Sequence, residues 1–195
     1  LAEQLSGFVS LVLEGDAYGA SQLLVELKIR YPIDVTRSLR EARAWLRKQA
    51  RGSERYGLVA SSGGYRLRPE GIHVKAKVEP ANWFLNDRAD VRSSYYLEEV
   101  ATQFDIQGLE LAWAGVCWDA DLRWGGSKWH FHSFKGTKWQ QVRDDTKQLY
   151  LLNAYRVLLT RARQGMVIFI PNGDNADPTR HTSFYEGTYQ YLMKC

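Results

Sequence analysis

The sequence predicts an α/β fold in which helices flank a mostly parallel β-sheet. Short apolar runs at 33–35, 57–60 and 111–118 are typical of buried strands. They are separated by stretches of helical periodicity, and such alternation is typical of parallel sheets. One stretch departs from this pattern. Between Asp119 and Trp139, Gly125-Gly126 separates two aromatic-rich arms, which indicates an inserted β-hairpin.

Helices are expected on both sides of the first strand. Apolar residues at helical spacing occupy 5–13 and 23–27, and Pro32 ends the second pattern. Ser38-Leu-Arg-Glu41 then has the form of a capping box, in which the serine and the glutamate satisfy each other's free backbone donors. The helix that it starts is predicted to run to about Ala50.

The remaining elements follow from the same signals. We predict, in chain order, a strand at 73–78, a segment ambiguous between helix and strand at 95–101, a long helix from Asp145 to Arg163, a strand at 166–170, a loop at 171–180 and a closing helix at 183–194. We expect residues 1–30 to form an N-terminal helical segment and residues 31–195 one domain carrying the hairpin insertion at about 119–139.

Composition limits the class of protein. The chain has 195 residues, of which 45% are hydrophobic and 25% charged, as in ordinary globular domains. No apolar run approaches the roughly 20 residues of a membrane span, so we expect a cytoplasmic protein with no membrane partner. The two cysteines, Cys117 and Cys195, provide neither a disulfide framework nor zinc-ligand spacing. Because the chain opens at Leu1 inside an amphipathic pattern, we expect it to be part of a longer protein.

Two arginines stand out at the end of the predicted long helix. Arg161 and Arg163 precede an apolar strand, and cationic side chains held on a rigid element beside a sheet edge suit a phosphate-binding cleft. The alternative is that they only complement the helix dipole.

The segment from Thr102 to Glu110 lies at a strand end, where open α/β sheets place ligands. Gly108 permits a tight turn, and the Glu110 carboxylate can accept hydrogen bonds from sugar hydroxyls.

These segments together resemble a known family. Phe104–Glu110, Asn153–Arg163 and Asp177–Arg180 leading into Phe184-Tyr185 are similar to the C-terminal portion of the Schlafen group 3-like DNA/RNA helicase family. The first two segments also resemble the fifth and sixth motifs of superfamily 1 helicases. The resemblance covers about residue 31 to the C-terminus, and it implies the second of two RecA-like lobes.

The resemblance also implies roles for individual residues. Arg161 would reach the terminal phosphate of ATP held by the other lobe, where a guanidinium stabilises charge during phosphoryl transfer. The nucleotide-binding positions would be Gln107, Gly108, Glu110 and Arg163, the last of which has a structural alternative. Thr102 matches a position that hydrogen-bonds the nucleic-acid backbone, and Ser61 and Ser62 end a strand where related helicases also contact it.

A phosphate loop of the form Gly-x-x-x-x-Gly-Lys-Ser/Thr does not occur in the sequence. We therefore expect ATP and Mg²⁺ to be bound mainly by an N-terminal RecA-like lobe, and the fragment to be inactive alone. The implied partners are that lobe and DNA or RNA. The alternative function is a non-catalytic RecA-like module that binds nucleic acid or a protein partner.

Four arginines in and just after the helix that follows Ser38 form a stripe, which ends at Arg51. Arg40, Arg43 and Arg47 recur at helical spacing, which suits contact with phosphates, although a solvated helix face explains the pattern equally simply.

Other chemistries are less well supported. Five of the seven tryptophans lie between Trp113 and Trp139, where they either stack on bases or, as is more usual, pack in the core. A metal site of His130, His132, Asp119 and Asp121 lacks a third ligand fixed by spacing. A nuclease site of Asp16, Glu26 and Lys28 places its Glu-Leu-Lys in a helical pattern instead of on a strand.

Overall fold

A five-stranded parallel sheet forms the centre of the computed structural model, which describes residues 1–195. The strands of the protein are β1 (Ile33–Thr36), β2 (Tyr56–Ala60), β3 (Val100–Thr102), β4 (Leu111–Cys117), β5 (Leu122–Trp124), β6 (Trp129–Lys135), β7 (Lys138–Gln141) and β8 (Ala162–Phe169). The central sheet has the order β1-β8-β4-β2-β3, and all its neighbours are parallel. The predicted α/β, RecA-like fold with a mostly parallel sheet is confirmed.

The predicted hairpin is part of a second, antiparallel sheet with the order β5-β6-β7. The first turn follows Trp124, and the Gly125 amide donates to the Lys128 carbonyl there at 2.9 Å. A second turn at Gly136, which the sequence analysis did not identify, adds β7. The insertion is therefore a three-stranded meander that extends two residues beyond the predicted end.

The helices are α1 (Ala2–Glu14), α2 (Ala17–Arg30), α3 (Leu39–Gln49), α4 (Pro80–Leu85), α5 (Asp145–Leu159) and α6 (Ser183–Lys194). None of the six combines the length and apolar character needed to cross a bilayer.

Two hydrophobic cores lie on opposite faces of the central sheet, because successive strand residues point to opposite sides. Val59 and Met166 belong to the larger core, which α1, α2, α5 and α6 cover. Leu58 and Val167 belong to the smaller core, against which α3 packs. Since α1 and α2 bury residues in the larger core, they share it with the sheet; the predicted division at residue 30 stays a prediction.

Two predictions about individual elements were wrong, and one segment that the sequence left open is assigned by the structure. Residues 73–78 form no strand, and Val78 is the only buried residue among them. Between 95 and 101 the chain makes a 3₁₀ turn (Ser94–Tyr96) before the short strand β3. Helix α5 ends at Leu159 instead of Arg163, because the chain enters β8 at Ala162, where it pairs with Leu111 of β4.

The start of α3 is capped, but not by the predicted reciprocal box. The Ser38 hydroxyl accepts from the Glu41 amide at 3.2 Å, as expected. The Ser38 amide, however, donates to the Thr36 hydroxyl at 3.1 Å, and that hydroxyl donates to the Glu41 carboxylate at 2.7 Å. Thr36 therefore takes the place of the direct return bond.

Candidate functional site

The predicted site residues lie at two opposite edges of the central sheet. Ser61 and Thr102 lie at the carboxyl ends of β2 and β3, whereas Glu110 and Arg161 immediately precede β4 and β8. Residues 103–110 cross from one edge to the other. The structure thus separates the predicted nucleotide-binding residues, at what we call the amino edge, from the predicted nucleic-acid contacts at the carboxyl edge.

At the amino edge, Arg161 is held by a backbone carbonyl. Its Nη1 donates to the Leu109 oxygen at 2.9 Å, while its Nε is buried without a hydrogen-bond partner. It forms none of the salt bridges of the chain, so no carboxylate neutralises its charge. Arg161 follows the C-cap of α5 directly, and its guanidinium bonds the Leu109 carbonyl instead of a terminal carbonyl of that helix.

Glu110 and Arg163 lie beside this position. The Arg163 Nε and the Glu110 Oε2 are 3.6 Å apart, with exposed fractions of 71% and 63%, so the pair is open to solvent and weak. Gly108 has a φ of 76°, a conformation that favours glycine, and it is exposed. Gln107 is the exception among the predicted nucleotide contacts, because it lines a cleft at the carboxyl edge.

The crossing segment is tied at several points. The Ile106 amide donates to the Thr102 carbonyl at 3.2 Å, and the Leu109 amide donates to the Ile106 carbonyl at 3.1 Å. Asp105 accepts from both the amide and the hydroxyl of Thr102, at 2.8 and 3.1 Å. With Ile106 buried in the larger core, this segment is an ordered part of the fold.

A cleft of about 830 Å³ opens at the carboxyl edge, and we call it the carboxyl-edge cleft. Three parts of the chain form its walls: the loops after β2 and β3, the strands β6 and β7, and one side of α5 from Lys147 to Val157. Two large aromatic side chains project from these walls, Phe104 with 66% and Tyr150 with 69% of the surface exposed. Exposed aromatic rings in a cleft are suited to stacking on bases.

The charge of the cleft is positive. Lys135, Arg143 and Lys147 line it. Of its two acidic residues, Asp144 accepts a hydrogen bond from the Lys147 amide at 3.0 Å as the cap of α5, and Asp121 is buried. The lining also carries the amide side chains Gln103, Gln107, Gln140 and Gln141, which can both donate and accept hydrogen bonds.

The predicted nucleic-acid contacts differ in their availability. Ser61 is buried, and its hydroxyl donates to Asp121 at 2.6 Å. Thr102 is also buried and bonded to Asp105. Ser62 is half-buried in the cleft wall, where its hydroxyl accepts from Gln103 at 2.8 Å and keeps its own proton available.

The arginine stripe lies apart from the cleft. Arg40 and Arg47 are exposed on α3, and the Arg43 Nε donates to the Leu97 carbonyl at 3.1 Å. None of the three lines the carboxyl-edge cleft.

Two buried carboxylates lie beneath the cleft. Asp119 accepts from the Tyr185 hydroxyl at 2.8 Å and from the Arg66 amide at 2.9 Å. Asp121 accepts from the hydroxyls of Ser61 and Tyr155. Burial raises the pKa of both carboxyls, and for Asp119 the negative charge of Asp121 raises it further.

The oxygens of these aspartates are therefore used by protein hydroxyls, and no group of three or more His, Cys, Asp or Glu side chains is arranged to hold a metal ion. His132 lines the cleft, and burial together with the nearby charge of Arg123 lowers its pKa to about 4. Its imidazole is consequently neutral at neutral pH.

The tryptophans serve mainly in packing, the more usual of the two interpretations. Trp118 stacks on Trp129 at 5.5 Å between ring centroids, and Trp124 stacks on Tyr191 of α6 at 3.9 Å. The indole N–H groups of Trp118, Trp129 and Trp139 each donate to a backbone carbonyl.

The nuclease-like residues are helical. Asp16 caps α2 by accepting from the Gly19 amide at 2.8 Å, and Glu26 and Lys28 lie within that helix.

The sequence offered no reason to assign a binding role to several residues that line the cleft, namely Phe104, Tyr150, Lys135, Arg143 and Lys147. One signal was present for two of them: Lys147 and Tyr150 are three residues apart, and therefore on one face of a predicted helix, although a large aromatic on such a face is usually buried.

A comparison with known protein families gives one match. The family model of the Schlafen group 3, DNA/RNA helicase domain matches residues 1–172. The chain belongs to this family. Searches of the curated proteins and of the solved structures returned no match. The Schlafen group 3 match supports a helicase-related nucleic-acid module, and it begins at residue 1, thirty residues earlier than the resemblance in the sequence suggested; α6 lies beyond it.

Proposed function

We propose that this chain is the second RecA-like lobe of a superfamily 1-type DNA/RNA helicase or nucleic-acid-dependent ATPase. In this proposal it completes an ATP site whose phosphate loop and Mg²⁺ belong to an N-terminal lobe of the same protein. Its other edge contacts the nucleic-acid backbone. Membership of the Schlafen group 3 helicase family and the separation of two cationic regions at opposite sheet edges support this division of labour.

The observation that carries the proposal is the state of Arg161. Its guanidinium is fixed to the rim of residues 107–110 by the Leu109 carbonyl, and it has no carboxylate partner. A permanently charged group held by a neutral acceptor keeps its full charge for an anionic ligand. Glu110 and Arg163, the nearest charged residues of the proposed nucleotide set, are exposed and could meet the ribose and phosphates.

The carboxyl-edge cleft supplies the second half of the function. Lysine and arginine side chains in its walls suit a phosphate backbone, and Phe104 and Tyr150 suit unstacked bases. Ser62 offers a hydroxyl donor at the same wall. Ser61 and Thr102 act as supports in this arrangement, since their hydroxyls are already bonded to Asp121 and Asp105.

The test is to replace Arg161 by alanine in the protein that carries both lobes. Removing a charge that acts on the transferring phosphoryl group should lower nucleic-acid-stimulated ATP hydrolysis by roughly 10³-fold or more. ATP binding should change little, because the other lobe holds most of the nucleotide. Phosphate release and the binding of a fluorescent ATP analogue measure the two quantities.

Arg30→Ala, an exposed arginine at the end of α2, is the matched control and should keep full turnover. Unchanged hydrolysis in Arg161→Ala would contradict the proposal. The alternative, a non-catalytic binding module, would then be favoured if nucleic acid still bound.

A further inference from the structure

The first strand, β1, forms one edge of the central sheet, and its outer side has no partner strand. The Met166 amide of β8 donates to the Pro32 carbonyl at 3.1 Å, and the bonding direction then alternates along the strand. The N–H and C=O groups of Ile33 and Val35 therefore point away from the sheet, and none of them bonds to another part of the backbone. Unpaired edge groups of this kind can accept an added strand.

An apolar cavity of about 200 Å³ lies beside this edge. Ile33 and Val35 line it together with residues of α1, α2, α6 and β8. Of the fourteen lining residues, only Lys28 and Asp34 are not hydrophobic. Apolar cavities of about 150 Å³ that are lined by aliphatic and aromatic side chains bind benzene. This cavity is therefore large enough for the ring of one phenylalanine.

A single exposed carboxylate covers part of the free edge. The Asp34 Oδ1 accepts from the Val35 amide at 3.0 Å, and that amide is one of the outward-pointing groups. Asp34 and Lys28 are both exposed, and neither takes part in a salt bridge. Charged side chains at a sheet edge oppose unspecific strand pairing. An exposed side chain can nevertheless turn into solvent and free the amide when a matching strand arrives.

We infer that the edge of β1 binds an extended segment of another polypeptide as a sixth strand, with one phenylalanine-sized apolar side chain in the cavity. Main-chain hydrogen bonds to Ile33 and Val35 hold the strand, and the cavity selects the side chain, as is general for strand addition. A nucleic acid does not suit this site, because Asp34 repels phosphates and Lys28 is the only cation in the lining.

This inference does not depend on the proposed function, since no residue of the cavity lines the carboxyl-edge cleft. The experiment measures binding of three fluorescein-labelled peptides to the chain by anisotropy. The first peptide has the sequence Lys-Thr-Phe-Thr-Glu, and the second has alanine in place of phenylalanine. The third keeps every side chain of the first but carries N-methyl groups on the phenylalanine and both threonines, so its backbone cannot donate there.

The first peptide should bind and the other two should bind more weakly. The alanine peptide should lose roughly 10- to 150-fold in affinity, because it leaves the cavity without a buried aromatic ring. The N-methylated peptide should lose roughly tenfold or more, because the main-chain hydrogen bonds cannot form. Absence of binding by the first peptide at millimolar concentration, or equal affinity of any two of the three peptides that include the first, would overturn the inference.

A pair of variants tests the cavity from the side of the protein. Leu24→Trp enlarges a lining residue of α2 and should weaken binding of the first peptide by roughly tenfold or more, because the indole occupies the space of the ring. Val25→Trp is the matched control, since the next residue of the same helix is 70% exposed and lies outside the lining. It should bind like the wild type. If Leu24→Trp does not fold, the three peptides on the wild-type chain still decide the question.

Hydrogen exchange measured by NMR locates the bound strand. The first peptide should protect the amides of Ile33 and Val35, whereas the amide of Thr36, which faces β8, should be protected with and without peptide. Unchanged exchange at Ile33 and Val35 would show that the peptide binds elsewhere. If light scattering finds a dimer of the free chain that Leu24→Trp dissociates, the occupant is a second copy of the chain, and the inference of a separate polypeptide is wrong.

Discussion

Replacing Asp119 by asparagine should remove a pH-dependent contribution to stability. Burial and the charge of Asp121 raise the pKa of Asp119 from 3.8 to about 7. Between these values the folded protein keeps a proton that the unfolded chain has released. The contribution of Asp119 to the free energy of unfolding is therefore fully present below a pH of about 4 and is lost as the pH rises to about 7.

The size of the effect follows from the shift. Within this window each pH unit corresponds to about 1.4 kcal/mol, so that between pH 5 and pH 7 the loss is at most about 3 kcal/mol. His132 acts in the opposite direction, because its lowered pKa makes stability rise with pH up to about 6.5. Arg123 stays charged throughout, since burial lowers its pKa only to about 10. Because the variant and the wild type both contain His132 and Arg123, the difference between their free energies of unfolding removes the contributions of these two residues.

Urea unfolding followed by tryptophan fluorescence at pH 5, 6 and 7 measures that difference. The free energy of unfolding of Asp119→Asn, relative to the wild type, should increase with pH across the series. In this variant Asp121 also loses a charged neighbour, so its carboxyl ionises more easily in the folded protein. This change likewise increases the stability of the variant relative to the wild type as the pH rises. Asp145→Asn, an exposed carboxylate on α5, should follow the wild type. A difference that stays constant from pH 5 to pH 7 would refute the reasoning.

Two further outcomes are expected. Tyr150→Ala should weaken binding of single-stranded nucleic acid by roughly 5- to 150-fold in an anisotropy titration, since one stacked base contributes about 1–3 kcal/mol. Tyr150→Phe keeps the ring and should bind like the wild type. An equal loss of affinity in both variants would exclude stacking. Gly165→Ala should lower the free energy of unfolding by about 1–3 kcal/mol, because its Cβ would lie 2.7 Å from both the Pro32 carbonyl oxygen and the Trp113 ring; an unchanged melting temperature would show that the sheet can adjust there.

Local sequence signals predicted an element correctly where the residues of that element alone determine its structure. Ser38 starts α3 and the closing helix covers 183–194, as predicted. The end of α5 could not be placed from the sequence, because residues 160–164 contain no helix breaker and the first one, Gly165, follows them. What decides is the pairing of β8 with β4, where the Leu111 amide donates to the Arg161 carbonyl at 3.4 Å, and that contact spans fifty residues of sequence.

The candidate site was predictable only in part for the same reason. Resemblance to a family identified Glu110 and Arg161, which the structure then brought to one edge. The carboxyl-edge cleft is assembled from loops, a second sheet and a helix, so Phe104 and Tyr150 become neighbours of one cavity only through the topology. At 73–78 the alternating residues predicted a strand that does not form. Alternation leads to a strand only where another strand is available to pair with it.

The crossing segment also links the two edges mechanically. A continuous series of hydrogen bonds runs from the Thr102 carbonyl through Ile106 and Leu109 to the guanidinium of Arg161. The position of the Arg161 guanidinium is therefore tied through three hydrogen bonds to the end of β3 at the opposite edge of the sheet. If the two edges bind nucleotide and nucleic acid as proposed, residues 103–110 are the shortest stretch of chain that joins the two sites.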